Sequence, residues 1–290
     1  MTTSTPPPPS TGSVTGQGRP ERFRPALPGT LTRGSGLGLG IAMLWFSLLV
    51  LIPLSAVVVT ASEGGWSNFW RAITNEQTRA AIAITLQAAA AVTLVNVVVG
   101  TMIAWVLVRD RFWGKGALEV VIDVPFALPT IVAGLVLLSL YGDDESPLGV
   151  NLANSGASVY LAFLFVTLPF VVRMVQPVLE ELDPEVEEAA ASLGASRPTT
   201  FRRVVLPALA PAIAAGAALS FARGVGEYGS LVLLSGNLPF ESEVASVRIL
   251  GAIENDNPAA AASVATLLLV VSLLTIVALD LLQRRISDRG

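Results

Sequence analysis

The sequence predicts an all-α integral membrane protein with six transmembrane helices. Three observations carry that class. Mean hydropathy is +0.66, only 14% of the 290 residues are charged, and the apolar residues come in six runs long enough to cross a bilayer. Basic residues fall into alternate connecting segments, the pattern that a multi-pass topology produces.

The elements follow in chain order. The first 36 residues are rich in Pro, Thr, Ser and Gly, with PPPP at 6–9, and cannot bury enough apolar surface to fold. They read as a disordered cytoplasmic tail, because they lack the apolar centre and cleavage pattern of a secretory signal. Residues 37–290 read as one transmembrane domain. Its spans fall near 38–60, 81–108, 117–140, 157–178, 208–235 and 262–282, with a long polar loop at 179–207. The third span contains Asp123, Pro125 and Pro129, and the fourth contains Pro169, Arg173 and Pro177. Each proline removes an amide and favours a kink. Arg173 lies near enough to the cytoplasmic end to snorkel. For Asp123 two roles stay open: partner of an arginine, or cap of a broken helix.

Orientation comes from the cations. Arg19, Arg22, Arg24 and Arg33 precede the first span; Arg109, Arg111 and Lys115 join the second and third; Arg197, Arg202 and Arg203 lie between the fourth and fifth; and Arg284, Arg285 and Arg289 follow the sixth. The opposite loops hold only Arg71, Arg79 and Arg248. The positive-inside rule then puts both termini and the 179–207 loop in the cytoplasm.

That loop predicts a short, stiff surface helix. Asp183 is placed to cap free amides, Pro184 fits the first helical position, Glu185, Glu187 and Glu188 favour the positive end of the dipole, and Gly194 supplies a stop. Val186, Ala189, Ala190 and Leu193 form an apolar stripe at helical spacing. A helix lying on lipid would carry a basic polar face, whereas this one is acidic, so the stripe predicts a protein partner.

In the fifth span Arg223 and Glu227 stand four residues apart, with Gly224, Gly226 and Gly229 beside them. Charges are costly in hydrocarbon, and i, i+4 spacing lets the pair meet on one inward face. Two roles remain open: Arg223 meets an anion crossing the membrane while Glu227 holds it between turnovers, or the two form a permanent pair pinning helices together. The glycines allow close helix approach or bending.

Composition also excludes chemistry. With no cysteine and no histidine, thiol nucleophiles, imidazole acid–base catalysis and Cys-based metal sites are removed. No GxxxxGK[ST] loop is present, so nothing here should bind and hydrolyse ATP. No catalytic residue, metal site or nucleic-acid partner is expected.

Residues 188–207, EAAASLGASRPTTFRRVVLP, match the coupling loop of binding-protein-dependent ABC importer permeases at Glu188, Ala189, Ala190, Gly194, Val204, Leu206 and Pro207. DVPFALPT at 123–130, LPFVVRMVQPVLEEL at 168–182, FARGVGEYGS at 221–230, SGN at 235–237 and IENDNPAAAASVA at 253–265 resemble more narrowly the T-type permeases of sulfate/thiosulfate importers. The resemblance implies a type I ABC importer permease fold in the bacterial cytoplasmic membrane. Beside this chain it implies a second homologous permease, two copies of a cytoplasmic ATPase carrying ATP and Mg, and an extracytoplasmic sulfate-binding protein. It assigns ATPase coupling to Glu187, Glu188, Ala189, Ala190, Gly194, Leu206 and Pro207. Candidates for an anion pathway or gate are Arg223, Glu227, Gly224, Gly226, Asp123 and Pro129. Molybdate or tungstate is the alternative cargo, because the fifth-span string is shared with molybdate permeases.

A secondary transporter is the rival class, but it would carry internal repeats and no ATPase-docking loop. An intramembrane hydrolase lacks a serine–base or paired-aspartate motif. The outer loops are acidic, with Asp143, Asp144 and Glu145 in one and Glu241, Glu243, Glu254 and Asp256 against Arg248 in another. Such a mouth repels free sulfate, and it suits a carrier protein with a basic rim.

Overall fold

Hydropathy places the helices, and local chemistry sets their ends. The computed structural model describes residues 33–142 and 146–287. The predicted tail therefore lies outside the described residues except for its last four, which are helical, and Asp143, Asp144, Glu145 and Arg289 also lie outside them.

Residues 1–52 and 53–290 form separate compact units. The first holds α1 (Arg33–Phe46) and a π turn, Ser47–Leu51. At the junction begins α2 (Ile52–Glu63), and Ser35–Glu63 is apolar enough over its length to cross a membrane.

The second unit continues with α3 (Gly65–Thr74) and α4 (Glu76–Arg109). Asn75 starts α4: its side chain accepts from the Gln77 and Thr78 amides at 3.1 and 3.3 Å, satisfying donors that have no intrahelical partner. Next come α5 (Lys115–Ala127) and α6 (Thr130–Tyr141), bent by 118° at a short break. Leu128 is extended there and Pro129 opens α6. A residue before proline is disfavoured in helical conformation, so the chain leaves the helix at that point. The third span is thus two helices set at a sharp angle, not one kinked helix.

The 26 residues of α7 (Gly156–Glu181) run unbroken through Pro169 and Pro177. The surface segment α8 (Pro184–Ser192) and α9 (Arg197–Thr200) follow, then a π turn, Phe201–Val205. The fifth span is also broken: α10 (Leu206–Val225) ends before Glu227, and α11 (Gly229–Leu234) begins after it. Finally α12 (Ala245–Glu254) leads into α13 (Pro258–Ser287). Five described helices are long and apolar enough to cross, six if the α5–α6 pair counts as one span.

The core is built on α4, α7 and α10. Small residues let them approach: a Cβ on Gly100 of α4 would stand 2.9 Å from Val171 Cβ, and one on Gly216 of α10 3.0 Å from Val171 Cα. Close backbone packing replaces the hydrophobic drive that lipid cannot provide. One apolar cluster, around Phe163, Val225 and Leu231, fills one end. A second, around Leu107, Val171, Leu179 and Leu209, fills the end next to α8. Between them Asn96 of α4 is fully buried and donates to Thr167 Oγ1 of α7 at 2.7 Å and Ser220 Oγ of α10 at 3.3 Å.

Candidate functional site

The surface helix α8 has the ends its sequence predicts. Asp183 Oδ1 accepts from the Glu185 amide at 2.9 Å. At the other end Gly194 has φ +83, and the Gly194 and Ala195 amides bond the Ala191 and Ala190 carbonyls at 2.9 and 3.0 Å. Those paired bonds form a Schellman stop, for which glycine pays no Cβ penalty.

The predicted stripe divides into bare and covered positions. Val186 and Leu193 are 45% and 89% exposed; Glu188 and Ala189 are exposed, and Ala190 is half-buried. Glu187 turns the other way. Its Oε1 takes Arg109 Nη2 at 2.7 Å, and the same nitrogen donates to the Leu182 carbonyl at 3.0 Å. This ties α8 to the last turn of α4, a connection the sequence reading missed. A cleft of about 400 Å³ runs beside it, lined in part by Trp105, Glu188, Arg197 and Phe201. Leu206 and Pro207 stand apart from α8, opening α10 as its first two residues.

At the second candidate site Arg223 and Glu227 do meet, with Nη2 2.6 Å from Oε2, but they do not share a helix. Glu227 lies in the break between α10 and α11. Only 1% of it is exposed. Its Oε1 accepts from the Ser230 amide at 3.0 Å and the Ser230 hydroxyl at 2.8 Å, and its carbonyl accepts from Ser246 Oγ at 2.6 Å. The carboxylate therefore holds the start of α11 as well as the arginine. Arg223 keeps 30% of its side chain exposed.

The glycines have separate tasks. A Cβ on Gly224 would meet Ala89 and Phe163 at 3.4 and 3.5 Å, whereas Gly226 has only its own helix nearby. Gly229 has no room: its Cβ would stand 2.2 Å from Thr130 Oγ1, and that of Gly134 2.6 Å from the Ser230 carbonyl. The two broken spans thus pack through α6 and α11, with Pro129 at one break and Glu227 at the other.

Asp123 resolves the choice left by sequence. Its Oδ1 accepts from Arg173 Nε at 2.7 Å and its Oδ2 pairs with Arg173 Nη2. Arg173 also donates to Gln176 Oε1 at 2.9 Å, and Gln176 donates to Glu180 Oε1 at 2.9 Å. The arginine is engaged by α5 instead of snorkelling, and Asp123 does not cap the break. The structure does not bring Asp123 into contact with the Arg223–Glu227 pair.

A capped surface helix is thus tied to a bundle whose third and fifth spans are broken. Residues 96–288 match the family model described as binding-protein-dependent transport system inner membrane component. The chain belongs to that family. This permease is 43% identical to the sulfate transport system permease protein CysT of Salmonella typhimurium over 262 residues, covering 88% of this chain and 95% of that one. It is 42% identical to the Escherichia coli protein of the same name over the same shares, and 42% identical to that of Synechocystis over 84% and 87%. Among solved structures, a bacterial ABC transporter involved in import of the acidic polysaccharide alginate aligns with TM-score 0.71 at 16% identity, covering 86% of this chain and 94% of that one. The inward-facing MetNI methionine ABC transporter aligns with TM-score 0.53 at 18% identity, over 73% and 99%. At such identities these structures show the fold alone, the type I importer permease fold. The protein is a multi-pass inner-membrane permease.

Proposed function

We propose that this permease is the membrane subunit of an ATP-driven sulfate importer, with thiosulfate as a second cargo. The observation that carries this reading is the 40–43% identity to sulfate permeases across most of the chain. In this reading both termini and α8 are cytoplasmic, and ATP and Mg are bound by two copies of a partner ATPase. A second homologous permease completes the pathway, and an extracytoplasmic carrier delivers the anion.

The geometry supplies a route for force. The bare side of α8, with Val186, Ala189 and Leu193, docks in the ATPase. Motion then passes through the Glu187–Arg109 pair to α4, which packs on α7 and α10. Packed helices move as bodies or shift between arrangements, and the breaks at Pro129 and Glu227 are where this bundle can change its path. Arg223 is the candidate contact for the anion, since its side chain is 30% exposed while its carboxylate partner is buried.

Reconstitution with the ATPase and carrier tests the cargo. Uptake of labelled sulfate should survive excess molybdate and fall with excess thiosulfate. Abolition by molybdate would make the alternative oxyanion the cargo.

A further inference from the structure

At the end of the bundle remote from α8 lies a cavity of about 360 Å³, with a mixed polar and apolar lining, between α3, the start of α4, α12 and the start of α13. Arg71 and Arg248 form part of its wall beside Asn68, Asn75, Thr78 and Asn257, and no carboxylate lines it. Three ion pairs occur among the described residues, and neither arginine takes part in one. Arg109, Arg173 and Arg223, by contrast, each have a carboxylate. Arg71 contacts only neutral acceptors, Asn68 Oδ1 and the Ser67 carbonyl, and Arg248 reaches Thr78 Oγ1 at 3.5 Å. A guanidinium carries five N–H donors in a fixed fork, so both retain donors for another ligand.

The surroundings indicate depth. In GWSNFWRAIT of α3 the rings of Trp66, Phe69 and Trp70 cluster, with centroids 5.3 and 6.2 Å from Trp66. Trp66 and Trp70 are 75% and 55% exposed. Exposed tryptophans on a short amphipathic helix between crossing helices mark the membrane–water interface. Arg71 follows Trp70 directly, so one wall of the cavity lies beside these aromatic rings.

We propose that this cavity binds a tetrahedral oxyanion, with Arg71 and Arg248 as its two cationic arms and the asparagine amides as neutral donors. Arginine forks match phosphate and sulfate oxygens bidentately. The position favours the phosphodiester of a membrane phospholipid, and free sulfate is the other source. A headgroup there joins α3 to α12 and α13. The site requires only that this end sits at headgroup depth, so it stands independently of the cargo.

The test uses the full-length chain, delipidated in detergent, titrated separately with dioleoyl phosphatidylglycerol, dioleoylglycerol and sodium sulfate, and read by native mass spectrometry and tryptophan fluorescence. Phosphatidylglycerol should bind more tightly than dioleoylglycerol. Arg71→Gln and Arg248→Gln should each weaken it about tenfold, as expected for loss of a charge-assisted contact, and Arg71→Lys, which keeps the charge but loses the bidentate fork, should weaken it less than Arg71→Gln. Arg71 is exposed, so its variants keep the fold, which an unchanged size-exclusion profile verifies. If sulfate binds and is lost in the same variants while the lipid preference is absent, the site stands with a free anion as its source. Binding of both anionic probes unchanged in the Gln variants, or no binding of either, overturns the proposal. Labelled-sulfate uptake by the complete transporter is a separate readout, so a failure there concerns the cargo and not this cavity.

Discussion

Three charged pairs show how much a single residue decides. Glu187–Arg109 is partly buried, with side chains 24% and 17% exposed, between the surface case worth little and the buried case whose disruption is severe. Glu187→Ala should cost about 1–2 kcal/mol locally. In the reconstituted importer it should loosen coupling, so that ATP hydrolysis continues while uptake per ATP falls. Glu227 is deeper, and Glu227→Ala should cost about 3–5 kcal/mol, because it strands Arg223 and removes the acceptor at the start of α11; thermal unfolding in detergent measures the loss. Arg223→Lys, which keeps a cation beside the buried Glu227 carboxylate but removes the guanidinium fork, separates the two readings of that pair. If the arginine touches the anion, uptake falls while co-purification of the ATPase is unchanged; full uptake makes the pair structural. The existence of this pair was legible because i, i+4 spacing is local information. Its burial across a helix break was not, nor was the Asp123–Arg173 pair, since both depend on which distant helix packs alongside. Glu243 shows the limit most clearly. In sequence it is one more acidic residue of an outer loop, yet it is 7% exposed and accepts from Gln77 Nε2 at 2.7 Å. It is a fastener between that loop and α4, and not part of an open acidic surface.

At the scale of elements, α8 was legible nearly to the residue because caps and stops are local chemistry. Asp183, Pro184 and Gly194 act where they stand in the chain. Gly194→Val should cost about 1 kcal/mol through its positive φ alone, because nothing lies within 4 Å of its missing Cβ. Weaker ATPase co-purification would report it. The broken spans were less legible. A proline announces a disturbance, but whether the chain kinks, as the sequence suggested for 117–140, or turns by 118° depends on what receives the second half. Here α6 is received by α11, through Gly134 and Gly229, a long-range fit with no local signature. Conversely Pro169 and Pro177 leave α7 continuous, held by the packed core on both sides. Gly229→Ala should cost about 1–3 kcal/mol by overpacking against Thr130, read as a lower melting temperature, whereas Gly226→Ala, whose Cβ would make only ordinary contacts with the Ala222 and Arg223 carbonyls, should be far milder. Asn96 is a second lesson: an amide inside an apolar run is visible in sequence, but its junction of three helices is not.

Across the whole molecule, the proposed function makes the chain a pathway whose engine is a separate ATPase. Among the described residues of the loops that the positive-inside rule places outside, Glu241, Glu254 and Asp256 are exposed, and in the proposed reading they form an acidic surface suited to a basic carrier rim. Glu241→Lys should weaken carrier-stimulated ATPase activity, most at low salt, while Glu243→Lys should disturb folding, since a buried ammonium cannot accept the Gln77 Nε2 hydrogen bond. In the proposed reading, force enters at α8, passes through Glu187–Arg109 to α4, and reaches the breaks at Pro129 and Glu227 through a core of closely approaching glycines and one buried asparagine. The central claim is that α8 converts nucleotide-driven motion of the ATPase into movement of the anion. The most direct measurement is sulfate imported per ATP hydrolysed in proteoliposomes bearing the complete complex, compared between the native chain and Glu188→Arg on the exposed side of α8. The account predicts uptake only when the ATPase is present and a sharply lower ratio, or loss of ATPase assembly, in the variant. Sulfate accumulation by the permease with no ATPase bound, or an unchanged ratio in the variant, would contradict it.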